Sequence, residues 1–461
     1  FSNPYAFSKL NSDGTVDVWG SDLNGGDSSS LKSELTNVSA IYSNQKAFAA
    51  VKTDGSVVVW GNQDSGGTLG DAKEKLNGSI DVTLISSTKS AFAALRSDGS
   101  VVTWGSDGNG GNNKSLETNN NIASIYSNMN AFAAVTNAGN LITWGQSAFG
   151  GNSSSVTLES GIEISSIYST STAFAALLSD GSVVAWGNNS DGGNISTVAS
   201  NLDGKIDVIN ISSTSSAFAA LLENGSVVTW GNFDNGGLSN SVSSSLNGDI
   251  KVEKVVATNG AFAALRSDGS VVTWGNPYLG GDSSSISNDL NGNNKVSDIY
   301  SNGYSFIAIH EDNTISTWGL GAYGGDSISV KSQFDGLKTV KEVASSETAH
   351  AVLFNDGSFV TWGQFINDQS SRIDNLVSQN TNVESITANA NAFYAITSNQ
   401  SILSWGDQNL GGNYIIPITS NQLTINISSR SNIALSDVET IISFENNQMS
   451  SKSGVDGSSV Y

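Results

Sequence analysis

Every tryptophan in this chain is followed by glycine. The ten Trp-Gly pairs, at Trp19, Trp60, Trp104, Trp144, Trp186, Trp230, Trp274, Trp318, Trp362 and Trp405, recur at intervals of 40 to 44 residues. A fixed period of that size marks a repeat architecture, in which no unit buries its apolar surface alone and each is completed by its neighbours. That constraint overrides the length of 461 residues, which by itself suggests about three domains. The phrase AFAALRSDGSVVTWG stands at 91–105 and again, unchanged, at 261–275.

Each unit has one grammar. A segment such as IASIYSN (122–128) reads as a strand; it is followed by AFAAL, a turn centred on Asp-Gly, SVVTWG and a stretch rich in Gly, Ser and Asn. Asp-Gly between two apolar runs is a hairpin signal, because glycine accepts the positive φ of the turn. Asp13, Asp54, Asp98, Asp180, Asp268 and Asp356 are therefore read as turn residues. AFAAL is apolar at every position, so its strand is covered on both faces. With the tryptophans as buried anchors and no helical periodicity anywhere, the fold class is all-β: a β-propeller of about ten to eleven repeats, or an open superhelical stack of the same units.

No linker interrupts the array, so 1–461 reads as continuous. Copies two to seven keep AFAA, whereas the eighth reads SFIAIHEDNTISTWG, the ninth AHAVLFNDGSFVTWG and the tenth AFYAITSNQSILSWG. The array thus also divides into well-kept repeats over 1–300 and diverged ones over 301–461. A decayed eleventh copy, INISSRSNIALSDVETIISFENN, carries Phe444 at the tryptophan position. The first copy is clipped and begins at Phe1 inside a repeat, the expectation being a piece of a longer protein.

The absence of cysteine removes disulfides and thiolate chemistry, and two histidines, His310 and His350, leave little for an acid-base or metal centre. A net charge of −22 opposes nucleic acid and anionic membranes, and no run is long and apolar enough for a membrane helix. Charged residues make up only 13% of the chain, so solubility rests on Ser, Asn, Gly and Thr, a composition associated with extracellular repeat proteins.

Ala94-Leu95, Asp98-Gly99, Val101, Trp104-Gly105 and Gly110, with the matching positions of the other copies, form a phrase that resembles the repeat of the regulator of chromosome condensation family, in its short bacterial version. The resemblance spans essentially the whole chain. It implies a β-propeller of four-stranded blades, most often seven. Two departures stand out: alanine (Ala47, Ala91, Ala131, Ala173, Ala217, Ala261) replaces the family's histidine before the second strand, and GGD or GGN replaces its GQLG loop. The nucleotide-exchange activity of the founding member does not carry over, since nothing here specifies its contacts.

The loops after Trp-Gly hold the candidate chemistry. Asp22, Asn24 and Asp27, and likewise Asn189, Asp191 and Asn194, are hard oxygen donors suited to calcium, the one cofactor the sequence leaves open. The same residues are also turn formers, and that reading is preferred. His350 occupies the position of Phe92 and is expected in packing; His310 precedes a degenerate turn. No nucleophile elbow or phosphate loop accompanies them, and a non-enzymatic protein is expected. The expected role is an extracellular or cell-surface structural or adhesive array whose partners are other protein copies or surface proteins and glycans. The alternative is a specific binding module, a carbohydrate-recognising propeller or a viral receptor-binding fibre domain, with Phe149 and Tyr323 as its loop aromatics.

Overall fold

The structure, a computed structural model, describes residues 1–407 apart from 2, 12, 114–115, 117–120, 366–374, 376–381, 389 and 399–401, together with 415–416. The eleventh copy, with Phe444, lies outside the described residues. The chain is all-β. It divides into two compact units, one holding the described residues up to Phe218 and the other those from Ala219 onward.

In the first unit the clipped opening repeat is a two-stranded sheet, Ala6–Leu10 and Val16–Gly20, and the next four repeats are three-stranded antiparallel sheets. The sixth repeat, with strands Val208–Ser213, Ala217–Leu222 and Val227–Gly231, contains the division. In the second unit the seventh to ninth repeats are again three-stranded, and the tenth adds a short fourth strand, Ile415–Ile416. The four strands per blade implied by the family resemblance are thus replaced by three in the well-kept copies. The place of the fourth is taken by the return of the loop: Val57, Val183 and Val271 donate their amides to the carbonyls of Leu76, Leu202 and Leu290.

The third repeat shows why the pattern folds this way. Its strands Val82–Ser87, Ala91–Arg96 and Val101–Gly105 pair in sequence order, with Phe92 opposite Trp104 and Ala94 opposite Val102. Side chains alternate across a strand, so a fully apolar strand serves two neighbours. Ala91, Ala93, Leu95 and Val101 face the fourth repeat, against Phe132, Ala134 and Trp144. Phe92, Ala94, Val102 and Trp104 face the second, against Ala47, Ala49, Val51 and Val57. The second unit repeats the arrangement, with Ala261, Ala263, Leu265 and Val271 against Phe306, Ala308 and Trp318. A face of small residues on one sheet thus receives two large rings from the next.

Those rings are cross-strand pairs within one sheet, stacked with centroids 5.1 Å apart for Phe92–Trp104 and 5.0 Å for Phe132–Trp144. Each tryptophan from Trp60 to Trp405 is at most 5% exposed, which places them as anchors in the core. Burying one indole removes roughly 150–250 Å² from water, about 4–6 kcal/mol before entropy.

Candidate functional site

The loops after Trp-Gly were the expected seat of function, and their geometry begins at the Gly-Gly pair. The first of these glycines adopts a left-handed conformation, with φ +94° at Gly66 and +94° at Gly110. Its carbonyl accepts the indole N–H of the following repeat: Trp104 Nε1 donates to Gly66 at 3.1 Å, and Trp144 Nε1 to Gly110 at 3.2 Å. A Cβ on Gly66 would lie 2.8 Å from the Phe92 ring, so only glycine leaves room for the Phe–Trp pair to seat. Part of each loop is therefore interface.

A buried polar residue ties the loop down. Asn44 accepts the amides of Lys46 and Ala47 through Oδ1 and donates through Nδ2 to the carbonyl of Ser65. Thr88 Oγ1 accepts from the Ala91 amide and donates to the Asn109 carbonyl. Asn128, Thr170, Thr258 and Asn302 make the same donation to Phe149, Asp191, Leu279 and Tyr323. Sequence reasoning passed over these residues, although an Asn or Thr three positions before AFAA is the signal. It also passed over the buried Leu76, Leu202, Leu246 and Leu290, each followed by Asn-Gly or Asp-Gly, which anchor a loop that reads as merely polar.

The turn aspartates behave as read. Asp54 Oδ1 accepts both the hydroxyl and the amide of Ser56, and Asp180 does the same with Ser182. The serine hydroxyl, helped by the amide, holds each carboxyl below its ordinary value.

The candidate calcium ligands are drawn into local turns. Asp22 is exposed in a single helical turn, Asn24 Nδ2 donates to Ser21 Oγ, and Asp27 Oδ1 accepts the amide of Ser29. In the other loop Asn189 is exposed, Asp191 Oδ2 accepts from Thr172 Oγ1 and Asn188 Nδ2, and Asn194 Oδ1 accepts the amide of Ser196. Among the described residues no group of three or more His, Asp or Glu side chains is placed to hold a metal ion.

Both histidines are buried. His310 Nδ1–H donates to the Asn294 carbonyl at 3.0 Å, and its Nε2 meets Ser316 Oγ at 2.9 Å. His350 lies in packing as its alignment with Phe92 predicts, between Ser305 Oγ (2.9 Å from Nε2) and Ser345 Oγ (2.8 Å from Nδ1). Neither ring reaches the surface.

The surface is distinctive for another reason. Large apolar side chains stand open on these loops and differ from copy to copy: Leu23 is 80% exposed, Phe233 68%, Tyr278 78%, Ile328 77% and Leu337 86%. Of the aromatics singled out in the sequence, Phe149 lends its carbonyl to Asn128, and Tyr323 meets Tyr304 edge to face at 4.7 Å.

No family model matches the chain, and no curated protein matches it. Among solved structures it is similar to the CRINKLY WD40 ectodomain of the Arabidopsis thaliana receptor kinase ACR4, at 16% identity over 65% of this chain and 99% of that one, with a TM-score of 0.33. It is similar to human WBSCR16 at 18% identity over 57% of this chain and 83% of that one, TM-score 0.35. It is also similar to Prp20p from Saccharomyces cerevisiae, at 16% identity over 65% of this chain and 77% of that one, TM-score 0.32.

Proposed function

We propose that the chain is a non-enzymatic scaffold outside the cell that presents variable loops to protein partners on a surface or on other copies of itself. One observation carries the reading: the residues that join repeat to repeat are nearly the same in copies two to seven, while Leu23, Phe233, Tyr278, Ile328 and Leu337 are exposed on loops that differ. Large apolar side chains, aromatics among them, supply anchors at protein interfaces, and their variation gives the loops that carry them different contacts to offer. Solubility through uncharged polar residues and the absence of cysteine are compatible with an extracellular setting.

The test is a variant with all five replaced by serine, compared with the natural chain for binding to intact cells by flow cytometry and for self-association by sedimentation. The expected result is loss of binding with an unchanged melting temperature. Undiminished binding by both assays overturns the reading. A second reading, glycan recognition, draws on the Tyr304–Tyr323 edge contact; glycan-array binding that disappears in Tyr323→Ala would favour it.

A further inference from the structure

Among the described residues, His350 is the one place where the ring that seats in a glycine cradle can carry a charge. In the third repeat that ring is Phe92; in the ninth the imidazole takes its position, against Gly324 and beside Trp362 at a centroid distance of 5.4 Å. The eighth repeat differs to match, with Ser305 where other copies have alanine. Ser305 Oγ lies 2.8 Å from the Tyr323 carbonyl and 3.0 Å from Asn302 Oδ1, both of which can only accept, so its single proton is committed there. It therefore accepts from His350 Nε2–H, and Nδ1, left bare, accepts from the Ser345 hydroxyl. The imidazole is neutral, doubly hydrogen-bonded and wholly buried between two repeats.

Among the described residues, none that touches it can balance a positive charge. From the eighth repeat it meets Ser305 and the Gly324 loop, and from its own repeat Ser345 and Trp362, all uncharged. The neighbouring titratable groups are engaged elsewhere: Glu347 with Tyr304, Glu342 with the amide of Ile386, Lys341 with the Glu384 carbonyl and Lys338 with Asp356.

We propose that the junction between the eighth and ninth repeats is an acid-sensitive hinge, closed around neutral His350 and opened when that imidazole takes up a proton. Burial pulls the imidazole down to about 3 in the closed junction, from an ordinary value of 6.5 that it regains on opening. Closure is thus at full strength above about pH 6.5 and weakens about tenfold for each pH unit below it, down to about pH 3. The apolar part of the junction, Ile307, Ile309 and Ile315 against Val352, Phe354 and Trp362, is indifferent to pH, and the Tyr304–Glu347 contact that also crosses it is left in place by every His350 variant, so the variants separate its acid response from that of the imidazole.

Hydrogen exchange read by mass spectrometry on the full chain, corrected for the chemical exchange rate, tests this. Between pH 6.5 and 4.5 the opening constant of peptides spanning 305–310 and 349–354 should rise about 50-fold; a peptide spanning 261–266 serves as control and should rise less. The double variant Ser305→Ala with His350→Phe, which restores the pair found in other copies, should abolish the excess. If it does not fold, His350→Gln, which cannot take up a proton, should abolish it too, whereas Ser305→Ala alone should keep it. A flat response in the natural chain, or the same acid response in the variants that lack the histidine, overturns the proposal.

Discussion

The third and ninth repeats solve one packing problem in two ways. In the third, a phenylalanine and a tryptophan stack at an interplanar angle of 18° and seat on a neighbour's face of small residues. In the ninth, the smaller imidazole lies tilted at 39° to Trp362, and volume is made up beneath it by Ile307 and Val352, where copies two to seven have alanine. The apolar area is conserved, but its ring pair is exchanged for a buried polar bridge. A repeat array thus tolerates divergence where partners across one junction change together, because each interface is local.

Removing the indole should expose the difference most strongly. Trp104→Ala is expected to cost about 4 kcal/mol, through lost burial and the cavity left behind. Trp362→Ala should cost about 0.5 kcal/mol less, because the tilted imidazole gives up less ring-on-ring attraction and the edge contact of Phe334 at 5.2 Å makes up only part of it. Chemical denaturation followed by circular dichroism measures both, and equal losses would remove the distinction.

Next in size is the cradle. Gly66→Ala should lose about 2–3 kcal/mol, from a left-handed backbone and a methyl driven against the Phe92 ring. Gly324→Ala meets His350 instead, at φ +100°. Its cost should match at pH 7.5 and shrink at pH 4.5, where an acid-opened junction no longer holds the ring. Melting temperatures of both variants at the two pH values decide this; a Gly324→Ala cost independent of pH would set the two junctions equal.

The sequence carries the large features because they depend on composition at short range. Apolar runs flanking Asp-Gly and the period of forty-odd residues together place the strands, and a run such as Ala91–Leu95 with no polar position can only be covered twice. The left-handed glycines, the turn aspartates and the buried place of His350 follow from the same alignment of copies. What stayed hidden depends on contacts across about 20 residues. Asn44 reads as a surface residue until its amide is seen to reach Ser65, and Leu76 reads as a loop residue until its carbonyl is found against Val57. The candidate calcium loops failed to declare themselves for a related reason: Asp, Asn and Gly at turn spacing look alike whether their oxygens face an ion or the next backbone amide.

The buried hydroxyls come third. Thr88→Val keeps the shape but strands the amide of Ala91 and frees the Asn109 carbonyl, for a loss of about 1–2 kcal/mol. In the ninth repeat, among the described residues, Ser346 Oγ bonds only to the amide and carbonyl of Ala349, so Ser346→Ala should cost less, about 1 kcal/mol. Urea midpoints report the contrast, and a larger loss at Ser346 would mean that the loop tie is not what gives Thr88 its weight.

The hairpin turns, where the two repeats are most alike, should give the smallest effect. At Asp98 burial works against ionisation but is outweighed by the Ser100 hydroxyl and amide and by Arg96; at Asp356 the Ser358 hydroxyl leads, helped by the Ser358 amide and Lys338. Both carboxyls are held below their ordinary value, so the stability each contributes is present above about pH 4 and is lost as pH falls through the lowered value. Both side chains are at least a third open to water, which keeps the contribution to a few tenths of a kcal/mol, about 0.5 at most. Asp98→Asn and Asp356→Asn should each lower stability by that amount at pH 7, an effect that starts to fade only below about pH 4 and vanishes once the pH is under the lowered value of the carboxyl. The turns thereby separate from the histidine junction, whose acid response begins near pH 6.5, some two units higher. Stability curves from pH 7 to 3 resolve the two ranges, and loss of the upper one in an aspartate variant would assign it to the turns instead of His350.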